Sequence, residues 1–241
     1  MTALSHPPHN RNPCYLYQAP LIPYSQAWTV QKQLVAARHT HPALPDALIL
    51  CQHPPVYTLG QGATLAHLNF DPQSPPAPLY RIERGGEVTH HCPGQVILYP
   101  ILNLRRYQTD LHWYLRQLEE IVIQALAVFG IPGERWPGMT GVWVKGHKVA
   151  AIGIKVSRWI TMHGLAVNVA ADLSGFQAII PCGISQYPVA NVRQFIPEIT
   201  VDQVQAALLQ VTAALLRLKF QPQPWPQTGC DNVNRSCQNK T

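Results

Sequence analysis

The sequence predicts a single α+β domain whose sheet is mixed or largely antiparallel, with helices flanking it. Two observations lead there. Strand-like and helix-like stretches follow one another in an irregular order, without the strict strand–helix–strand repeat of a doubly wound sheet. GVWVK and KVAAIGIKV, turned at Gly146 and His147, read as a hairpin and therefore as antiparallel pairing. The 241 residues are enough for one such domain with a substantial core, and no internal repeat or second domain is evident.

Taken in order, residues 1–13 (MTALSHPPHNRNP) are polar and proline-rich and are expected to form a flexible arm before a folded domain at 14–219. Cys14 to Ala19 alternates as a first strand. Pro23 suits a helix start, and Ala27, Val30, Leu34 and Val35 give the following stretch an apolar stripe. Ala47 to Gln52 is a continuous apolar run, short enough for a buried strand. HPPVYTLGQGAT is expected to be a site-lining loop, and Asp71 to Pro78 (DPQSPPAP) a connector suited to a flap. Leu79 to Leu104 reads as two or three strands around Gly85–Gly86 and Pro93–Gly94. Thr109 to Phe129 gives the clearest helix, capped by Thr109, striped by Leu111, Leu115, Leu118, Val122, Ala125, Leu126 and Phe129, and ended by Gly130. Arg158 to Val169 should be a strand and Asp172 to Gly183 a loop. Thr200 to Leu218 forms a further amphipathic helix with a Thr200–Gln203 capping box. Residues 220–241 are expected to be a disordered tail, and its Cys230 and Cys237 are assigned no role.

Charged residues make up 12% of the chain, and eighteen Lys+Arg against twelve Asp+Glu leave +6. A basic surface suits an acidic partner. The basic residues are scattered, with no run longer than Arg105–Arg106, so no nucleic-acid motif emerges. No apolar run is long enough to span a membrane, and no secretory signal precedes the six cysteines, so a cytoplasmic protein with reduced thiols is expected. Metal is not expected: C-x₂-C and H-E-x-x-H spacings are absent. The adjacent His90, His91 and Cys92 would point to alternate faces of a strand.

The candidate chemistry lies between Lys148 and Cys182. Cys182 sits between Pro181 and Gly183, two turn formers that can hold a thiol open to a cleft. A lysine ammonium beside such a thiol would lower its pKa from about 8.5 towards neutrality and favour the nucleophilic thiolate. A buried cysteine is, however, most often a small core residue, and spacing alone does not decide. Lys155 competes with Lys148; seven residues apart, they face opposite sides of a regular strand unless a bulge intervenes. Cys92 is a rival nucleophile, and His163 or His91 a rival base for a Cys–His hydrolase. His39, His41 and His53 read as surface or loop histidines.

Four blocks occur in order: RGGEVTHHCPGQVILYP (Arg84 to Pro100), GVWVKGHKVAAIGIKV (Gly141 to Val156), ITMHGLAVNV (Ile160 to Val169) and IIPCGI (Ile179 to Ile184). Together they resemble the lipoyl(octanoyl) transferase family, the octanoyl-carrier-protein:protein octanoyltransferases of lipoate biosynthesis, over roughly residues 14–219. The resemblance implies a biotin/lipoyl protein ligase-like fold, with Cys182 as the acyl-accepting nucleophile and Lys148 as its partner. It also implies a substrate loop of Arg84, Gly85, Gly86, Glu87, Val88 and Thr89, followed by His90 and His91. Ala151, Ile152 and Gly153 would shape the slot for an unbranched chain. Gly164, Leu165 and Ala166 would complete it, the amides of Gly164 and Leu165 being candidates to hold an oxyanion. The expected reaction carries an octanoyl group from acyl carrier protein to a lysine of a lipoyl domain through a cysteine thioester. Both partners are typically acidic, which suits the basic chain. No resident cofactor is expected, because phosphopantetheine arrives on the carrier, and a monomer is expected. The alternatives are an ATP-dependent lipoate or biotin protein ligase on the same fold, a hydrolase, and a non-catalytic acyl-binding module. The chain departs from its relatives in having His90 for their usual tyrosine, Cys92 for glycine and Lys155 for arginine.

Overall fold

A computed structural model describes residues 11–180 and 188–226. Its main sheet has eight strands in the order β11-β1-β2-β6-β10-β9-β8-β7. One side of it is parallel: β1 (Asn12–Ala19) lies between β11 (Leu218–Gln223) and β2 (Asp46–Cys51). The rest is antiparallel, through β6 (Gln95–Ile101), β10 (Ile160–Asn168), β9 (His147–Ser157), β8 (Met139–Val144) and β7 (Glu134–Trp136). A second sheet of three short strands, β4 (Leu79–Arg81), β3 (Val56–Leu59) and β5 (Val88–His91), stands beside it. The mixed α+β reading therefore holds.

Strand alternation separates two cores. Leu48, Leu50, Val96, Leu98, Leu165 and Val167 face α2 (Leu111–Ala127) and α3 (Val201–Leu215). Their neighbours Ile49, Cys51, Ile97, Tyr99 and Ala166 face α1 (Tyr24–Thr40) through Ala27 and Val30. The sheet is thus covered by helices on both faces, which is why β2 and β6 are buried at every position.

Several expectations are corrected. The segment expected as a loop at HPPVYTLGQGAT contains β3, whose four residues are all buried and which pairs with both β4 and β5. Strand pairing reaches beyond the expected domain limits: Asn12 and Pro13 pair with Leu218 and Lys219, and β11 carries the sheet to Gln223, four residues into the expected tail. Asp110, not Thr109, caps α2, its carboxylate accepting from the amides of His112 and Trp113. Leu111 is 45% exposed and lies outside the core stripe. The β8–β9 turn is Lys145–Gly146, both at positive φ, and His147 already belongs to β9. The β9–β10 turn likewise takes Arg158 and Trp159, both at positive φ, so β10 begins at Ile160. The capping box of Thr200 and Gln203 forms as expected. No helix among the described residues is long and apolar enough to cross a membrane.

Candidate active site

A cavity of about 360 Å³ opens where the two sheets meet, a size within the range of small-molecule sites. Its position follows from an unfinished strand pairing. β8 pairs with β9 only as far as Ala150, so Ala151 to Ile154 have no β8 neighbour on that edge. Those four residues line the cavity, together with Gly164, Leu165 and Ala166 of β10. The loop from Arg84 to Thr89 closes over them, the Gly85 amide donating to the Ile154 carbonyl at 2.9 Å. Arg84 is 8% exposed and donates to the Thr58 carbonyl (2.7 Å) and hydroxyl (3.0 Å), which ties the loop to β3. An added Cβ at Gly153 would lie 3.0 Å from Arg84 Cδ, so the slot is shaped by what glycine leaves out.

The expected substrate residues therefore converge, with one exception. His91 lines the cavity and accordingly stacks on Tyr24, ring centres 6.2 Å apart. Gln95 donates from Nε2 to the His90 carbonyl, so its Oε1 is left to accept from Nδ1 of His91 at 3.0 Å. That assigns the His91 proton to Nδ1 and leaves Nε2 on the other side of the ring. His90, one residue earlier, faces the opposite side of β5 and does not line this cavity. It packs on Tyr57 (4.8 Å) and Phe176 (5.6 Å), with Gly175 flush against the ring.

Lys148 lines the cavity and Lys155 does not. The β8–β9 register shifts between Val142 and Trp143, opposite Lys148 to Ala150, so a bulge does intervene and residue parity does not decide between the lysines. Position does: Lys155 pairs with Met162 towards the far end of the strand. The Lys148 stem rests on Gly141, which adopts φ 137 and where a Cβ would come 2.6 Å from Lys148 Cε. Its ammonium stands 5.6 Å from the centre of the Trp143 ring. Glu119 of α2, 1% exposed, accepts the Gly141 amide at 3.2 Å and so holds that floor.

Cys182 lies outside the described residues. The chain on either side of its segment is anchored at the site. Ile180 donates its amide to the His67 carbonyl (2.8 Å), and the His67 ring pairs with Glu87 of the cavity loop (3.0 Å). On return, Lys148 donates its amide to the Pro188 carbonyl (2.9 Å), and Ala190 donates to the Lys148 carbonyl (3.0 Å). The rival Cys92 is 2% exposed, its thiol donates to the Asp172 carbonyl, and burial, then the Asp172 charge, push its pKa up to about 11.

Sequence reasoning missed Tyr24 of α1 and Tyr99 of β6, which line the cavity as an aromatic wall, and His163 of β10, read as a rival base, lines it with them. His163 sits at φ 61, anchored by its amide to Gln31 Oε1 at 2.8 Å, with Nε2 3.7 Å from Glu83. Burial holds it below its ordinary pKa although Glu83 pulls the other way. Behind this wall His53, read as a surface histidine, is fully buried and bonded to Tyr99 (2.9 Å) and the Ile22 carbonyl (2.8 Å). Gly164 and Leu165, expected to hold an oxyanion, lie within β10. Gly164 pairs with Gly153, and Leu165 with both Ile152 and Leu98, so their backbone lies inside the ladder. Among the described residues no group of three or more His, Cys, Asp or Glu side chains could hold a metal.

Burial makes stability here acid-sensitive. His53 has its pKa lowered from 6.5 to about 4, chiefly by burial, so between those values the unfolded chain binds the proton and the folded one does not. Its contribution is complete above pH 6.5 and is lost as pH falls towards 4, by roughly 3 kcal/mol at 1.36 kcal/mol per unit. His91 and His163 act in the same direction. Urea midpoints should therefore fall between pH 7.5 and 5; a constant midpoint would contradict this account.

The model of the lipoyl protein ligase A/B catalytic domain matches residues 23–213. An octanoyltransferase of Synechococcus elongatus is 56% identical over 208 residues, covering 86% of this chain and 89% of that protein. An octanoyltransferase of a Nostoc species is 54% identical over 220 residues, covering 91% and 99%. Among solved structures, lipoate-protein ligase A bound with ATP superposes with a TM-score of 0.71 at 15% identity, over 90% of each chain.

Proposed function

The chain belongs to the octanoyltransferases of the lipoyl protein ligase A/B catalytic-domain family, and on that premise we propose that it carries an octanoyl group from acyl carrier protein to a lysine of a lipoyl domain by way of a Cys182 thioester. It is an acyltransferase acting in lipoylation. The observation that carries the finer reading is the convergence of Lys148, the Arg84–Thr89 loop and the edge of β9 on one cavity, with both anchors of the Cys182 segment beside them.

In the first step the Cys182 thiolate, favoured by the Lys148 ammonium, attacks the thioester carbonyl. The C–S bond to phosphopantetheine breaks and the carrier's thiolate takes a proton from the Lys148 ammonium, leaving as thiol and Lys148 neutral. In the second step the acceptor lysine, once neutral, attacks the enzyme thioester, an amide forms and Cys182 is released as thiolate. The proton lost by the acceptor amine goes to Lys148 in its neutral form. A thioester is already an activated acyl group and amide formation from it runs downhill, so the reaction is written without nucleotide or metal. The apolar wall of Ala151, Ile152, Gly153 and Ala166 fits an unbranched chain.

The fold alone does not choose between transferase and ligase, since a lipoate-protein ligase bound with ATP shares it. Mixing the protein with octanoyl carrier protein, without acceptor, is expected to add one octanoyl mass that peptide digestion places on Cys182. Octanoylation of a lipoyl domain from free octanoate and ATP, with no such adduct, would favour the ligase.

A further inference from the structure

The main cavity changes character along its length. Lys148 stands at the start of β9, and Ala151, Ile152 and Gly153 carry an apolar wall away from it. Farther along, Ile154 pairs with His163, roughly 20 Å of strand from Lys148. The wall there is polar and aromatic, made by Tyr24, His91, Tyr99 and His163. Tyr24 and His91 stack with their rings 5° from parallel, and Tyr99 meets His163 edge-on with ring centres 6.3 Å apart. Tyr24 is 3% exposed and His163 2%. Among the described residues neither the Tyr24 hydroxyl nor Nε2 of His163 makes a hydrogen bond, Glu83 standing 3.7 Å from that nitrogen. Buried polar atoms nearly always find a partner, so two left open on residues of one cavity wall point to a ligand group there.

The partners of this wall fix what it can give and take. His53 donates from Nδ1 to the Ile22 carbonyl, so its Nε2 accepts the proton of the Tyr99 hydroxyl. His91 donates from Nδ1 to Gln95, so its Nε2 is an acceptor. Tyr99 and His91 are thus left with acceptors, and Tyr24 with a hydroxyl that can both give and take. An alcohol does the same and suits that set, whereas a carboxylate only takes and would face acceptors. We propose that this end of the cavity is a hydrogen-bonding subsite for the far end of the acyl chain, so that the enzyme also transfers medium-chain acyl groups carrying a terminal hydroxyl. This rests on the transferase reading above. The bonds made and broken are those of octanoyl transfer, and the terminal hydroxyl keeps its proton. Tyr24 is then a specificity-determining residue that touches the end of the chain and not the reacting carbonyl. A longer alkyl chain would instead cover these polar atoms with methylenes and leave them unpaired, which is unfavourable.

Two carrier-bound donors of equal length test the subsite: ω-hydroxyoctanoyl and nonanoyl, which differ only in ending in a hydroxyl or a methyl group. Acylation of the wild type, followed by intact mass, is expected to be about tenfold faster with the hydroxyoctanoyl donor. A plain apolar tube would give the opposite order, because the alcohol would lose its hydration there without return. Tyr24→Phe removes only a hydroxyl that makes no hydrogen bond among the described residues. It should shrink the preference to within about twofold at an unchanged thermal midpoint. Equal or faster acylation by the nonanoyl donor in the wild type, or a preference that survives Tyr24→Phe, would overturn the subsite. Absence of any adduct even from octanoyl carrier protein would instead overturn the thioester mechanism. The subsite would then be read from the free acids: ω-hydroxyoctanoate should raise the thermal midpoint more than nonanoate does, and an equal or smaller rise would overturn it.

Discussion

Replacing Lys148 by Met is expected to lower octanoyl transfer by roughly 10²–10⁴-fold, the range of a lost general acid–base group, with little change in thermal midpoint. The side chain is only partly buried, and its stem lies on Gly141, a contact that Met keeps. What Met removes is the ammonium near the Trp143 ring, and with it both the charge that favours the thiolate and the site that receives the acceptor's proton. Lys148→Arg should not restore the rate. A guanidinium keeps its proton at every working pH, so it can serve the first step and not the second. Its planar head must also fit where Gly141 leaves only enough room for a narrow stem. Single-turnover assays would then show acylation partly retained in Lys148→Arg and transfer lost in both variants. Full transfer by Lys148→Met would remove the lysine from the mechanism.

The parts of this site that the sequence made legible are those written in local chemistry. Glycines at 85, 86 and 164 suggest close backbone approach, and the coordinates bear that out at Gly164, where a Cβ would meet the Leu98 carbonyl at 2.2 Å, but not at Gly85 and Gly86, where the nearest atoms would be 3.7 and 3.6 Å away. Thr200 and Gln203 cap α3 because a capping box needs only four consecutive residues. The parts that stayed hidden depend on contacts between distant segments. Tyr24 reaches the cavity because α1 packs across the sheet, and nothing in its own neighbourhood says so. His53 looks like a loop histidine beside Pro54 and Pro55, yet its partners Tyr99 and Ile22 are 46 and 31 residues away. The turn at Arg158–Trp159 places two non-glycine residues at positive φ, where no residue-type signal predicts a turn. β11 was missed because a short strand containing Pro222 reads as a tail. It forms at the sheet margin, where a proline costs no central ladder bond.

The bulge opposite Lys148 shows how the two kinds of information combine. Alternation along a regular strand would put Lys148 and Lys155 on opposite faces and leave open which one faces the site. The register shift withdraws that argument, and the short reach of β8 replaces it. By ending its pairing at Ala150, β8 exposes the edge of β9 next to Lys148 and leaves Lys155 towards the far end of the strand. The family motif points to Lys148, and the strand pairing places that lysine, and not Lys155, at the cavity.

Cys182→Ala is expected to abolish transfer, by about three orders of magnitude or more as befits the loss of a nucleophile, whereas Cys92→Gly, Cys51→Ala and Cys14→Ala should each retain most of it. The contrast follows from burial. Cys14, Cys51 and Cys92 are 0%, 0% and 2% exposed, and burial raises each thiol above its ordinary pKa, so none presents a thiolate near neutral pH. Cys182 lies along the chain between Ile180, tied to His67 whose ring pairs with Glu87 of the cavity loop, and Pro188, whose carbonyl accepts the Lys148 amide. Cys182→Ser should be nearly as inactive as Cys182→Ala, because an adjacent ammonium can favour a thiolate near pH 7 but cannot ionise a hydroxyl there. The stabilities of the variants should diverge the other way. Cys51→Ala vacates a packed position against Ile49 and Tyr99 and should lower the thermal midpoint, while retaining transfer below it. A Cys92→Gly protein that lost its acyl adduct while Cys182→Ala kept one would move the nucleophile to β5 and undo the assignment made from Lys148.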